Sequence, residues 1–358
     1  MTVDFEHLPK THDNFADLSQ PGCFKAGAQE GCRRSLNNGT VIETFINRLP
    51  PELLLEIFEI YILHSGKPVA RAGYSLQIYG SKMSRRLRVG CRALGLAGIC
   101  SRWRSIVLAK SSIWSSFHLD VELFRDRPQL VSLLNTYISY SQSALLSISL
   151  HMDSSNNMLT SVNAETQQIL NVLFECAHCW KSAKLTILDE KYILYLNNWY
   201  NCRSWDISAN SKPVVAFSSL ENLEIEYSSI GYSYLVVFQL CPQLKTYRVN
   251  LASSTSEITL PDVSHVEEFH LGSEGVVGGP SIGHLLCQMP MLKICAIEGF
   301  YLTRNDIGVD TEQVTPNRSF LTSLKVWSYT FHLHAWKDLH LPNLTSLEVY
   351  HIPFTETR

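Results

Sequence analysis

The apolar positions of this chain fall into two unlike patterns. From residue 45 to about 120 they recur at steps of three and four, the period of a helix face. Leu53, Leu54, Ile57, Phe58, Tyr61 and Ile62 form the first run. Pro51 suits its opening turn, where a missing N–H leaves nothing unsatisfied, and Glu52 puts negative charge at the positive end of the helix dipole. Ser65, Gly66 and Pro68 end it. A second run, Leu94, Leu96, Ile99, Cys100, Trp103, Ile106 and Val107, predicts another helix face, and Ile113-Trp114-Ser115-Ser116-Phe117 a short aromatic anchor after it. The intervening 64–93 reads as a basic, glycine-containing connection, an exposed insertion.

From Pro128 the pattern changes. Leu130, Leu133, Leu134, Tyr137 and Ile138 predict a helix, and Leu145-x-x-Ile148-x-Leu150 a strand. Ile169, Val172, Leu173 and Cys176 predict the next helix, and Leu185-x-Ile187 the next strand. Then one signature recurs, apolar-x-x-apolar-x-apolar. It begins at Leu220, Leu244, Val266, Leu292, Leu321 and Leu344, with a weaker instance at Cys202-x-x-Trp205-x-Ile207. The six starts lie 22 to 29 residues apart, in the range of leucine-rich repeats. Short helical pieces, Tyr232 to Leu240 and Ile282 to Met289, fit between the strands. One such unit cannot bury its apolar side alone, whereas stacked units share a continuous core. The alternative is a β-rich or α/β globule in which the signature recurs by chance.

Residues 1–44 carry no period and are broken by Pro21, Gly22, Gly27, Gly31 and Gly39, so they read as a disordered tail. Residues 352–358 supply no polar cap to the last unit.

Composition narrows the function classes. Of 358 residues, 45% are hydrophobic and 18% charged, which suits a large core and argues against general disorder. The net charge is -3, so neither nucleic acid nor an acidic membrane is the expected partner. Against this background no acidic residue stands between Glu59 and Asp120, while Lys67, Arg71, Lys82, Arg85, Arg86, Arg88, Arg92, Arg102, Arg104 and Lys110 do. That run reads as a solvated loop, with an acidic partner or nuclear import as alternatives. No apolar run is long enough to span a bilayer, and residues 1–20 have no signal-peptide core. Of the ten cysteines, Cys176, Cys241, Cys287 and Cys295 sit in apolar runs as small hydrophobes do. The expected setting is cytoplasmic or nuclear, with free thiols and silent sequons at Asn38, Asn317 and Asn343.

Catalytic and cofactor motifs are not found. Cys176-x-x-Cys179 with His178 lacks a second ligand pair at zinc spacing, with Cys202 and His151 not arranged as one. The glycine-rich 272–279 lacks the lysine and Ser/Thr of a phosphate loop. His332 and His334 share one side of a possible strand, but two histidines are not a site. The expectation is no enzyme, no metal and no cofactor.

Leu49-Pro50-Pro51-Glu52-Leu53-Leu54-Leu55-Glu56-Ile57-Phe58, then Cys100-Ser101-Arg102-Trp103-Arg104-Ser105-Ile106, then Ile113-Trp114-Ser115 together resemble the F-box motif, closest to F-box-like proteins of mushroom-forming fungi. Ala144 to Leu150, Ala177 to Ser182 and Leu341 to Leu347 resemble later segments of that group, so the likeness covers about 45–358. Two departures stand out: the long connection at 64–93, and Ile113 where a leucine is usual.

The resemblance implies a fold of class α + α/β solenoid: a helical F-box-like module over 45–120, then a leucine-rich-repeat-like parallel β/α stack over 121–358. It implies a non-catalytic adaptor of a Skp–cullin–F-box ubiquitin ligase. The module would dock on a Skp-family protein through Leu49, Pro50, Glu52, Leu53, Ile57 and Phe58, with Trp103 and Ile106 as further positions. An unidentified substrate protein would lie on the repeats, near Glu224, Glu226, Arg248, Lys325 and Trp327. A ligase-independent scaffold of the same fold is the alternative function. Part of the apolar set must instead form the module's own core.

Overall fold

The computed structural model describes residues 2–3, 45–64, 74–80, 87–153, 161–205, 217–227, 236–238, 240–251, 263–273, 288–301, 320–330 and 341–351. Expectations for the rest of 1–44, for 232–235, 282–287, 332, 334 and 352–358, and for most of the glycine-rich 272–279, lie outside the described residues, as do Cys287, Asn38 and Asn317.

The first apolar run forms helix α1, Pro51–His64. The second run is not one helix. It divides into α2, Arg92–Ala97, and α3, Ser101–Ala109. Cys100 takes extended backbone and its Sγ accepts the Trp103 N–H, capping α3. Three residues fall between the two helices, so Ile99 swings out to 59% exposure. A 3-10 turn, Ser111–Trp114, follows. The buried Trp114 donates its Nε1–H to the Val107 carbonyl at 2.9 Å.

The connection at 64–93 needs correction. It holds two strands, β2 (Leu76–Gly80) and β3 (Leu87–Cys91), which pair antiparallel. Leu76, Ile78 and Val89 are fully buried. Their alternation with Gln77, Tyr79, Arg88 and Gly90 is a two-residue period that the basic composition masks. β1 (Thr2–Val3) pairs with the other edge of β3, so these two residues are strand and not tail.

β4 (Ser116–Asp120) pairs parallel with β2, and every later strand is parallel to its predecessor and lies next to it. These are β5 (Leu146–Met152), β6 (Trp180–Ile187), β7 (Asn222–Tyr227), β8 (Thr246–Leu251), β9 (Glu268–Ser273), β10 (Ile294–Tyr301), β11 (Ser323–Thr330) and β12 (Ser346–His351). Among the described residues the sheet order is β1-β3-β2-β4, then β5 to β12 in sequence, a sheet of twelve strands. The chain is therefore of α/β class with a mostly parallel sheet. Because β2, β3 and β4 belong to it, residues 45–120 are not a purely helical unit, and one ladder runs through to 351.

Three helices join the early strands: α4 (Pro128–Ser141), α5 (Ala164–Glu175) and α6 (Glu190–Trp205). Asn163 caps α5 by accepting the Thr166 N–H at 2.8 Å. The weak repeat instance at Cys202 is thus wrong: Cys202 and Trp205 end α6, and the strand that pairs with β6 is β7. Aromatic rings pack the helices to the sheet. Tyr137 of α4 meets Trp114 and Phe117, and Phe174 of α5 meets Trp180 and Trp199. Of the Tyr232 to Leu240 piece, the described Val236–Phe238 is a 3-10 turn.

A single turn opens the later strands. The N–H of Leu220, Leu244, Val266, Leu292 and Leu344 each donates to the carbonyl three residues earlier. The residues just after donate to the preceding strand's start: Lys245 and Thr246 to Glu221, Glu267 and Glu268 to Lys245, Lys293 and Ile294 to Glu267. The signature's apolar positions are what this turn turns inward. Leu223/Tyr247/Phe269/Cys295/Leu324 and Ile225/Val249/Leu271/Ile297/Val326 form two buried rows in register. The rows surface at β12, where Leu347 is 59% and Val349 47% exposed.

Candidate functional site

Two surfaces carry side chains that the core does not explain. The first is α1. Leu54, Phe58 and Ile62 are buried and pack the helix inward, with the Phe58 ring 4.7 Å from Trp103 of α3. On the adjoining face Leu53, Ile57, Ile60 and Tyr61 stand between 40% and 53% exposed. Their spacing of four, three and one places them on one stripe of about 100°. Glu52 and Glu56 are exposed beside it.

Side chains of the basic run hold this region together. Arg102 donates to the Leu49 carbonyl at 2.5 Å, Arg92 to the Ile62 carbonyl, and Arg104 to the Ala97 carbonyl at 3.1 Å. Lys110 pairs with Glu59 at 3.4 Å. These four cations are struts, so this part of the run is not a solvated loop, while Lys67, Arg71, Lys82, Arg85 and Arg86 lie outside the described residues; the three guanidinium groups serve here because their fork reaches orphan carbonyls at helix ends.

The docking positions named from sequence divide accordingly. Pro50, Glu52, Leu53 and Ile57 are exposed and Leu49 is half-buried. Phe58, Trp103 and Ile106 are buried at 1%, 8% and 9% exposure, so they support the surface from beneath. Ile60 and Tyr61 were not among the named positions. They complete the stripe, and the signal was present in the same helical spacing.

The second surface is the sheet face opposite the buried rows. One polar row runs Gln77, His118, Ser149, Lys184, Glu224, Arg248, His270, Ala296, Lys325, Glu348 in register across ten strands. Charges alternate along it and pair: Lys184 with Glu224, and Lys325 with Glu348 at 3.0 Å. Arg248 and His270 both reach Glu268, at 2.8 and 2.6 Å. Burial pushes the Glu268 carboxyl up, but the hydrogen bonds from Arg248 and His270 outweigh it and hold the group below its ordinary range. In the next row Glu226 accepts from the Thr186 hydroxyl at 3.2 Å, and Trp327 stacks on Tyr350 with ring centres 5.1 Å apart. The five residues suggested from sequence for target contact all lie on this face.

Toward its β2 end the polar face sinks into a cavity of about 260 Å3 lined by Tyr74, Tyr79, Asp120, His151, Lys184 and Glu226, among others. Tyr74 lies over His118, ring centres 5.5 Å apart. Burial pushes the Asp120 carboxyl up, against the pull of the nearby His151 and of the Glu122 N–H. Sequence reading missed this cavity because part of its lining, Tyr74 and Tyr79, lies beside and within β2, hidden in the presumed insertion.

Among the described residues no group of three His, Cys, Asp or Glu is placed to hold a metal ion. Burial pushes the Cys176 thiol up to about 11 and raises Cys179 as well, the reverse of an activated thiolate. No described helix is long and apolar enough to cross a membrane. Comparison with protein-family models, curated proteins and solved structures finds no match to this chain.

Proposed function

We propose that this chain is a non-catalytic adaptor of F-box type, docking on a Skp-family protein through the α1 surface and holding a target protein on the polar face of its sheet. In this reading the parallel sheet is a leucine-rich-repeat-like solenoid. The repeated turn and the two buried rows support that description, since identical units that bury the same positions are how a stacked array is built. Substrate receptors contribute proximity, so this function requires no catalytic constellation.

The observation that carries the reading is the outward stripe of α1. Leu53, Ile57, Ile60 and Tyr61 crowd one helix surface at 40–53% exposure, directly after the Leu49-Pro50-Pro51-Glu52 start. An amphipathic helix needs one apolar side, and Leu54, Phe58 and Ile62 already supply it. A second apolar side is left uncovered by the described residues and suits a partner's helices.

The test is co-purification and calorimetry of the full chain with a Skp-family protein. Burying the remaining exposed area of Leu53 and Ile57 is expected to contribute about 1.5–2.5 kcal/mol together. The Leu53→Ala/Ile57→Ala variant should then bind about 10- to 70-fold more weakly, with its thermal unfolding little changed. Wild-type protein that fails to bind any Skp-family protein would overturn the adaptor assignment.

A further inference from the structure

We propose that the outer edge of β12 is a docking site for an extended segment of the target protein, which joins the sheet as a further parallel strand and sets a basic side chain beside Glu348. That the segment belongs to a ligase target rests on the adaptor reading; the chemistry of the edge does not. Among the described residues β12 ends the sheet order, with β11 on one side and no strand on the other. The strand before it shows what a flanking neighbour does. Leu324 and Val326 of β11, between β10 and β12, are 1% and 3% exposed, whereas Leu347 and Val349 in the same two rows are 59% and 47% exposed. Tyr350 stacks one ring face on Trp327 and still stands 47% exposed. The backbone groups along that edge also meet no strand among the described residues, and such groups are a template for pairing with another chain.

The ladder also defines the occupant. Its inward rows are aliphatic at Leu347 and Val349, and its outward row is aromatic at Trp327 and Tyr350, so a covering strand needs the same kinds of side chain at the same places. Between the aliphatic positions the outward row alternates in charge. Glu224 stands in register between Lys184 and Arg248, while Glu348 has Lys325 on its β11 side at 3.0 Å. Its other side suits a second cation. Four consecutive residues of the incoming segment are therefore aliphatic, basic, aliphatic and aromatic. Strand addition of this kind draws affinity from main-chain hydrogen bonds and specificity from alternate side chains. A second copy of the chain fits less well. Across a two-fold axis its β12 runs antiparallel to this one. Registers that set Leu347 or Val349 against itself or against the other then place the two Glu348 side chains opposite or diagonal, where like charges repel.

The probe is a fluorophore-labelled peptide amide, Thr-Ile-Arg-Val-Tyr-Thr, titrated into the full chain and followed by anisotropy. Two relatives serve as controls: one with Glu in place of Arg, and one of the same composition in the order Arg-Ile-Val-Thr-Tyr-Thr, which loses the alternation. Saturable binding of the first peptide, about tenfold tighter than that of either control, is the expected result. Glu348→Lys should weaken the Arg peptide about tenfold and strengthen the Glu peptide about as much, an exchange that loss of folding cannot produce. Val349→Lys, which puts a charge on the inward row of the edge, should also weaken the Arg peptide about tenfold; if that variant unfolds, Glu348→Lys carries the test alone. Equal binding of the reordered peptide, no binding of the Arg peptide, or indifference to Glu348→Lys would overturn the proposal. So would a wild-type dimer in sedimentation that Val349→Lys splits, since a second copy would then hold the edge. The Leu53→Ala/Ile57→Ala chain keeps β12, so peptide binding without Skp binding sinks only the adaptor reading, and Skp binding without peptide binding sinks only this one.

Discussion

Helix α1 and the strands β7 to β11 both divide their side chains between core and solvent, but they fill the solvent side differently. Along the strands most of the outward residues are polar, Ala296 and Trp327 among the exceptions, and several pair, as Glu224 does with Lys184 of β6 and Arg248 with Glu268. Along α1 the outward stripe is Leu53, Ile57, Ile60 and Tyr61, which among the described residues meet no such partners. Folding explains the inward side of both and the outward side of neither. The sheet's outward row satisfies itself and can wait in water. The helix's outward stripe leaves apolar area wet, at about 25 cal/mol per Å2. The second arrangement asks for another molecule to cover apolar area, and it does so without regard to salt.

The largest test of that contrast compares neighbouring residues of one helix. Leu54 and Phe58 are enclosed, so Leu54→Ala should lower stability by about 2–5 kcal/mol and Phe58→Ala by about 3–5 kcal/mol. Leu53→Ala should change it by less than about 0.5–1 kcal/mol. Urea unfolding of the three variants decides. A Leu53→Ala loss equal to that of Leu54→Ala would mean that both sides of α1 are core, and the contrast with the strands would vanish.

A second test probes how dry the inward side of the sheet is. Burial pushes the Cys295 thiol of β10 up to about 12, against about 8.5 in an unfolded chain. The folded state thus keeps a proton that the unfolded state releases. Stability from this residue is complete below about pH 8.5 and drains away as pH rises toward 12. Between pH 8 and 10, wild type should lose about 1–2 kcal/mol relative to Cys295→Ala. Parallel stability curves for the two would show that water reaches the row.

Much of the architecture was legible, and the failures share causes. The signature beginning at Leu220 located β7 to β12 because a strand with one buried side writes a period of two into its sequence. α1, α4 and α5 were legible because their buried stripes follow the period of a helix. β2 and β3 were not, since each is only five residues long and lies among Lys and Arg that suggest a loop. The arginines themselves misled: their number indicated a field, while their reach to Leu49, Ile62 and Ala97 carbonyls is a matter of geometry that composition does not hold. The break at Gly98 to Cys100 was hidden because the apolar spacing continues through it. Of the docking set, Leu53 and Ile57 stand outward as expected of a surface, whereas Phe58, Trp103 and Ile106 are core; one helical period cannot separate a face that meets its own protein from one that meets another.

The smallest effect concerns the sheet's outward row. Glu268 accepts from both Arg248 and His270, and its carboxyl is held below the ordinary range. A carboxyl lowered on folding stabilises above its unfolded value of about 4.3 and loses that contribution as pH falls further. Because the pair is largely in contact with water, its worth should not exceed about 1 kcal/mol. Glu268→Gln should therefore unfold slightly earlier than wild type at pH 7, with the gap closing between about pH 4.5 and pH 3. Raising salt should narrow the gap as well, since the Debye length falls from about 10 Å at 0.1 M to about 3 Å at 1 M. The same salt series should leave the Leu53→Ala binding defect nearly constant. If salt weakened docking on α1 as much as it weakened the Glu268 contribution, charge and not apolar area would govern both surfaces, and the distinction between helix and sheet would lose its physical basis.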